Sequence, residues 1–186
     1  LKQRQNIRYK SANMAEGLEN ILAVCPNCLK KHTITTKKDK IFCEHCGYLT
    51  SIDDRYGFSN GFRFTDLSKW YDWQTEVLKQ EILENADYML SSKVELRLPG
   101  NGNSLTRYGG EGVCTLSREG LTYKGTKDGE TVELNFSLHK IYRLLFGAGE
   151  NFEVYDGSQI LYFVPEEKRG AVDWYMASKI LYNGIG

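Results

Sequence analysis

Two pairs of cysteines, Cys25-x-x-Cys28 and Cys43-x-x-Cys46, constrain this chain more than anything else in it. Between the pairs lie 14 residues. A two-residue spacer lets both thiols of a pair reach one point, and an intervening hairpin brings the second pair opposite the first. Four thiolates so gathered suit one tetrahedral ion with sulfur at about 2.3 Å, and zinc is the expected metal, with iron chemically possible. Four protein ligands leave no open coordination position, so the ion is expected to be structural and not to activate water. Redox dithiols would sit at a helix N-terminus in a thioredoxin-like unit, which this pattern lacks.

The flanking residues fit a zinc ribbon. Ile21 to Val24 leads into the first pair, His32 to Thr36 is β-branched and strand-like, Lys37-Lys38-Asp39-Lys40 reads as a turn, and Ile41-Phe42 leads into the second pair. His32 and His45 lie close by, but with four cysteines available neither is expected to be a ligand. The remaining cysteine, Cys114, sits in an alternating apolar stretch and reads as a small buried hydrophobe. An odd cysteine count with two such pairs points to a reducing compartment.

Beyond an irregular stretch over 51–65, Trp70, Trp73, Val77, Leu78, Ile82, Ala86 and Met89 recur at three- and four-residue steps. This predicts an amphipathic helix from about Ser68 to Tyr88, capped by Asp66 or Ser68, with its aromatic face packed as core. After Ser92 the pattern is β. Strands are expected over 93–98, 112–117, 121–125, 131–136, 141–146, 152–155 and 159–164, with Asp128-Gly129 and Asp156-Gly157 as hairpin turns. A helix carrying Val172, Trp174, Tyr175, Met176, Lys179, Ile180 and Tyr182 closes the chain. Seven antiparallel strands must curl or close to bury an apolar face. Seven strands and a final helix resemble the pleckstrin-homology superfold, with a lipocalin-like or other small barrel as the alternative.

Charge excludes some functions. Lys plus Arg and Asp plus Glu are 24 each, so the net charge is zero, which disfavours a nucleic-acid binder working by bulk charge. The distribution is uneven: residues 1–50 carry +5, 51–100 carry −3 and 101–186 carry −2. Lys30, Lys31, Lys37, Lys38 and Lys40 are read first as an offset to the −2 of a zinc tetrathiolate. No apolar run approaches the roughly 20 residues of a membrane-spanning helix. The first ten residues are polar and basic, unlike an export signal, and the chain opens on Leu1, as expected of a part of something longer. No nucleotide-binding loop, zinc-protease helix or nucleophile elbow is present.

Four strings together, Met14-Ala-Glu-Gly-Leu-Glu-Asn-Ile-Leu-Ala-Val-Cys-Pro-Asn-Cys28, Ile41-Phe-Cys-Glu-His-Cys-Gly47, Tyr56-Gly-Phe58 and Trp70-Tyr-Asp-Trp-Gln74, resemble the C-terminal extension of bacterial acyltransferases of the lysophosphatidic acid (acyl-glycerol-phosphate) acyltransferase family, chiefly from clostridia and their relatives. The resemblance implies an upstream, membrane-associated catalytic domain as partner. The family's His-x-x-x-x-Asp motif is missing: the fifth residue after His32 is Lys37, after His45 Thr50 and after His139 Leu144. No catalytic residue carries over, and only the ribbon cysteines transfer. Phosphoinositide-binding pleckstrin-homology domains present Lys and Arg around the first hairpin loop. Here that loop, about 99–112, offers only Arg107, with Arg97 and Arg118 nearby.

The expectation is therefore an α+β, mostly β chain. It has a zinc ribbon with an N-terminal arm (1–55), a linker and amphipathic helix (56–92), and a pleckstrin-homology-like antiparallel barrel with a C-terminal helix (93–186). Its expected role is that of a non-catalytic accessory region of a phospholipid acyltransferase, in the cytoplasm or at the inner face of the membrane, making membrane or protein contacts. A standalone zinc-ribbon adaptor for nucleic acid or protein is the alternative.

Overall fold

The computed structural model describes residues 11–59, 61–100, 104–141, 144–147 and 149–184. The chain divides into two compact units, Leu1–Glu76 and Val77–Gly186. The boundary falls inside a helix, α1, that runs Leu67–Glu84.

In the first unit, strands β1 (Ile34–Lys37), β2 (Lys40–Cys43) and β3 (Gly47–Ser51) form an antiparallel sheet in the order β1-β2-β3. The sequence pattern supplies the first two. The third follows from geometry, because the second cysteine pair is itself the turn that pairs Cys43 with Gly47. Lys38, at φ 57°, lets a two-residue turn join Lys37 to Lys40. Asp66 caps α1, its carboxylate accepting from the Lys69 N–H at 3.3 Å. The buried face of this part of α1 meets Phe58, Phe62 and Phe64, whose rings lie 5.4 to 6.0 Å from that of Trp70.

In the second unit, seven strands form one antiparallel sheet. They are β4 (Leu90–Pro99), β5 (Thr106–Ser117), β6 (Gly120–Lys127), β7 (Glu130–Phe136), β8 (Leu145–Gly147), β9 (Asn151–Asp156) and β10 (Gln159–Pro165). Their order is β7-β6-β5-β4-β10-β9-β8. The expected barrel does not close: β7 and β8 are the two edges, and no pairing joins them among the described residues. The sheet curls instead. Helix α3 (Ala171–Asn183) touches β5, β8 and β9. β5 and β8 are four sheet positions apart, about 19 Å if flat, whereas a helix is about 10–12 Å across. The strands must therefore wrap it. Trp174 stacks on Phe152 at 4.5 Å, Phe152 on Phe163 at 5.3 Å, and Phe163 meets Tyr123 at 5.2 Å.

Three local expectations are corrected. Helix α1 ends at Glu84, leaving Ala86 and Met89 exposed. Arg118 stops it, donating to the carbonyls of Ile82 at 2.6 Å, Asn85 at 3.2 Å and Ala86 at 3.1 Å. Strand β5 begins at Thr106, not at Gly112, so most of the supposed 99–112 loop is strand. Its glycines serve close strand approach: a Cβ on Gly112 would lie 2.4 Å from the Lys124 carbonyl oxygen and 2.7 Å from the Tyr123 ring. Finally, Ile141 ends a short helix, α2 (Leu138–Ile141), and does not open a strand. Leu138, Ile141 and Leu144 are buried at three-residue steps, a helical and not an alternating spacing. Residues 101–103 of that expected loop lie outside the described residues.

Candidate metal centre

The first cysteine pair is built by a small hairpin. Cys25 N–H donates to the Lys30 carbonyl at 3.0 Å, Leu29 N–H to the Cys25 carbonyl at 2.9 Å, and His32 N–H to the Ala23 carbonyl at 2.8 Å. These bonds force left-handed backbone at Leu29 (φ 61°) and His32 (φ 56°). The second pair closes the β2–β3 turn, where Gly47 at φ 90° occupies the place that Leu29 holds in the first. Glu44 N–H donates to the Thr33 carbonyl at 2.7 Å, which ties the second turn to the chain leaving the first.

The result is four sulfurs around one point. The Cys25 and Cys46 Sγ atoms are 3.6 Å apart, those of Cys28 and Cys43 3.7 Å, and all four lie within 4.8 Å of one another. A disulfide would need about 2.05 Å. Sulfurs at about 2.3 Å from a shared tetrahedral ion stand about 3.8 Å apart. The observed spacings fit the metal geometry, and all five cysteines are free thiols. His32 and His45 lie outside the group of clustered donors.

The electrostatics agree with a cation site. Burial opposes ionisation of Cys43, but the Thr33 hydroxyl, 3.2 Å from its sulfur, and the backbone N–H groups of Cys46 and His45 outweigh it and pull the thiol down to about 6. Cys46 moves the other way, raised by desolvation within the site and then by the other three thiols. Burial likewise raises Cys25. Four thiolates this close repel one another, so they ionise together only when a cation offsets their charge.

Helix α1 fixes the approach to the first pair. Gln74, fully buried, accepts from the Ala23 N–H at 2.9 Å and donates to the Ile21 carbonyl at 2.7 Å. The Trp70 indole N–H donates to the Val24 carbonyl at 3.0 Å. Arg63 reaches the Pro26 carbonyl at 3.3 Å while its guanidinium lies 4.7 Å over the Trp73 ring. Motif reading misses Thr33, Arg63 and Gln74. For Gln74 a signal exists: Trp70, Gln74, Leu78 and Ile82 recur every four residues, so the glutamine stands within the buried stripe.

The lysines do not surround the site as one patch. Lys30 and Lys31 flank the first pair, but Lys37, Lys38 and Lys40 crowd the far end of the β1–β2 hairpin, about 10 Å of strand from Cys43. Only the first two can offset the thiolates closely. In the second unit, the three arginines near the first hairpin are engaged elsewhere. Arg97 pairs with Glu95 at 2.6 Å, Arg107 pairs with both carboxylate oxygens of Asp128 at 2.6 and 3.1 Å, and Arg118 caps α1. Cys114 is fully buried, as its pattern predicts, and burial raises its thiol well above the ordinary range. No described helix is long and apolar enough to cross a membrane.

No protein-family model matches the chain, and no curated protein matches it. Among solved structures, one of SsgB from Streptomyces coelicolor, described through mutations that correlate to longitudinal cell division during sporulation, is 15% identical, with a TM-score of 0.32. The match covers 51% of this chain and 89% of that one. A likeness of that size carries nothing over to this chain.

Proposed function

We propose that this chain is a zinc-stabilised, non-catalytic accessory region of a bacterial phospholipid acyltransferase, with a binding or docking role beside the catalytic domain. The observation behind the zinc is the gathering of the Cys25, Cys28, Cys43 and Cys46 sulfurs, with two pairs at 3.6 and 3.7 Å and all four within 4.8 Å of one another. The four thiolates would hold the ion and fix the ribbon ends, and the ion would supply charge compensation and cross-linking. The acyltransferase assignment rests on the sequence strings that resemble that family's C-terminal extension. A pleckstrin-homology-like reading of the second unit is supported by the order β7-β6-β5-β4-β10-β9-β8, two meanders joined at the first and last strands, and by the helix after the last strand. With Arg97, Arg107 and Arg118 engaged, the docking partner fits a protein or the catalytic domain better than a phosphoinositide headgroup.

Two experiments test this. Metal analysis of the reduced chain should find one zinc per chain, and a chelator should lower thermal stability. In the parent enzyme, deleting this region should reduce acyl transfer or membrane association. Unchanged activity and localisation would refute the accessory role. The exposed lysines at the β1–β2 turn favour a second reading, an adaptor for an anionic partner. Salt-dependent binding of RNA or DNA, lost on reversing Lys37, Lys38 and Lys40, would support it instead.

A further inference from the structure

The four sulfurs are not equivalent. Cys25 and Cys43 are 0% and 2% exposed, Cys28 is half-buried, and Cys46 alone is open to solvent. The sulfur 3.6 Å from Cys46 belongs to Cys25, on the opposite turn, while Cys43 faces Cys28 at 3.7 Å and has Thr33 Oγ1 at 3.2 Å. From this we infer that Cys46 is a modification site for hydroperoxides and that Cys25 resolves it, so that oxidation ejects the metal and leaves a disulfide between the two turns. The inference rests on the zinc reading above.

The chemistry balances without further reactants. The Cys46 thiolate attacks the outer oxygen of a hydroperoxide. An S–O bond forms as the O–O bond breaks, sulfur gives up two electrons, and the alkoxide or hydroxide released takes a proton. The Cys25 thiolate then attacks Cys46 Sγ. The S–S bond forms, the S–O bond breaks, and hydroxide leaves and is protonated to water. The sum is two thiolates, one hydroperoxide and two protons giving one disulfide, one alcohol or water, and one water. With Cys25 and Cys46 joined, only Cys28 and Cys43 would remain to hold the ion, which would then be released. The new bond joins the same two turns that the metal joined.

The test uses the zinc-loaded full chain, titrated with hydrogen peroxide, with zinc release followed by a chromogenic chelator and free thiols blocked before digestion. Trypsin leaves Cys25 and Cys28 on one peptide and Cys43 and Cys46 on another, so a bond between the turns links two peptides and a bond within a turn does not. The expected first product is the linked pair, fragmenting as Cys25–Cys46, with one zinc released per link and Cys114 still reduced. Cys46→His keeps four zinc ligands but removes the exposed thiol. It should bind zinc and release it about tenfold more slowly in peroxide. A first product within a turn, early loss of Cys114, or unslowed release from Cys46→His would overturn the inference. A chain that holds no zinc yet forms the Cys25–Cys46 link first would overturn the zinc reading and leave the pair standing.

Discussion

The side-chain amide of Gln74 bonds the backbone of Ala23, accepting from its N–H at 2.9 Å, across 51 residues of sequence. The same amide donates to the Ile21 carbonyl at 2.7 Å. One polar side chain thus bonds both edges of the extended segment that delivers Cys25 to the four-cysteine cluster. Among the described residues that segment has no sheet partner beyond the Val24–Lys31 bridge, so helix α1 supplies what a neighbouring strand would otherwise supply.

Gln74→Leu keeps the volume and removes these two bonds together with the longer one from the Val24 N–H at 3.4 Å, leaving the buried Ala23 N–H and the Ile21 carbonyl without the amide. Such groups cost about 1–3 kcal/mol each, and a loss of about 3 kcal/mol is expected in urea denaturation of the first unit. On the proposed zinc reading, zinc affinity should fall with it, because metal binding and folding are coupled in sites of this kind. A variant within about 0.5 kcal/mol of the parent, the usual range for an inert surface substitution, would show that the amide is dispensable.

Leu29 and Gly47 follow the second cysteine of their pairs, and both adopt left-handed backbone, at φ 61° and 90°. Leucine there carries a steric cost of about 1–2 kcal/mol that glycine avoids, and Leu29 is 60% exposed, so burial recovers little. Leu29→Gly should therefore leave thermal stability unchanged or raise it by up to about 1 kcal/mol after glycine's greater unfolded-state entropy is counted. Gly47→Ala should lower it by about 1 kcal/mol or more, although nothing lies within 4 Å of the added Cβ. Equal effects of the two substitutions would contradict this account.

What the sequence revealed follows from what kind of signal each feature leaves. Cys25, Cys28, Cys43 and Cys46 announce themselves because zinc-type spacing is short-range, and the structure brings all four together. The alternation of Val94, Leu96 and Leu98 and the Asp128-Gly129 and Asp156-Gly157 turns are equally local, and β4, the β6–β7 hairpin and the β9–β10 hairpin follow from them. The end of α1 was not legible, because Arg118, 34 residues beyond Glu84, stops it. The start of β5 was hidden because glycines read as loop when no neighbour is known, whereas Gly112 and Gly125 face each other across paired strands. In α3 the expected Val172, Trp174 and Met176 are buried, but the expected Tyr175, Lys179, Ile180 and Tyr182 are not, and Ala171, Asp173, Ala177, Ser178 and Leu181 complete the buried set. A helix wrapped by a sheet is apolar on more than one side, and periodicity cannot then choose the face.

The Gly112–Gly125 contact makes a sharp prediction. On Gly125 a Cβ would come 2.3 Å from the Glu111 carbonyl oxygen, and on Gly112 the closest backbone atom is 2.4 Å away. Backbone cannot yield as a flexible side chain can. Gly112→Ala and Gly125→Ala should each cost about 2–3 kcal/mol, as overpacking does, with Tyr123 fluorescence altered as its ring is pushed off the pair. Substituting Gly129, where no atom lies within 4 Å of a built Cβ, is the control for conformational cost alone.

Tyr123 sets how the second unit responds to alkali. Its ring is fully buried, and its hydroxyl donates to the Thr126 carbonyl at 2.7 Å. Burial, reinforced by the negative charge that Cys114 would carry, pushes its ionisation up to about 12, above the tyrosine reference of about 10. The fold thus prefers the neutral phenol. Below about pH 10 both folded and unfolded states hold the proton and the contribution is complete. Between about pH 10 and about 12 the unfolded state releases the proton first, so stability falls as pH rises through that window. Tyr88, also raised by burial, adds a slope of the same sign. Tyr123→Phe should be less stable than the parent at pH 8 by about 1 kcal/mol, the worth of the lost hydrogen bond. It should also lose less stability between pH 10 and 12, so that the two curves converge. Parallel curves from urea denaturation across that range would show that Tyr123 ionises alike in both states and that its burial does not carry the alkaline sensitivity.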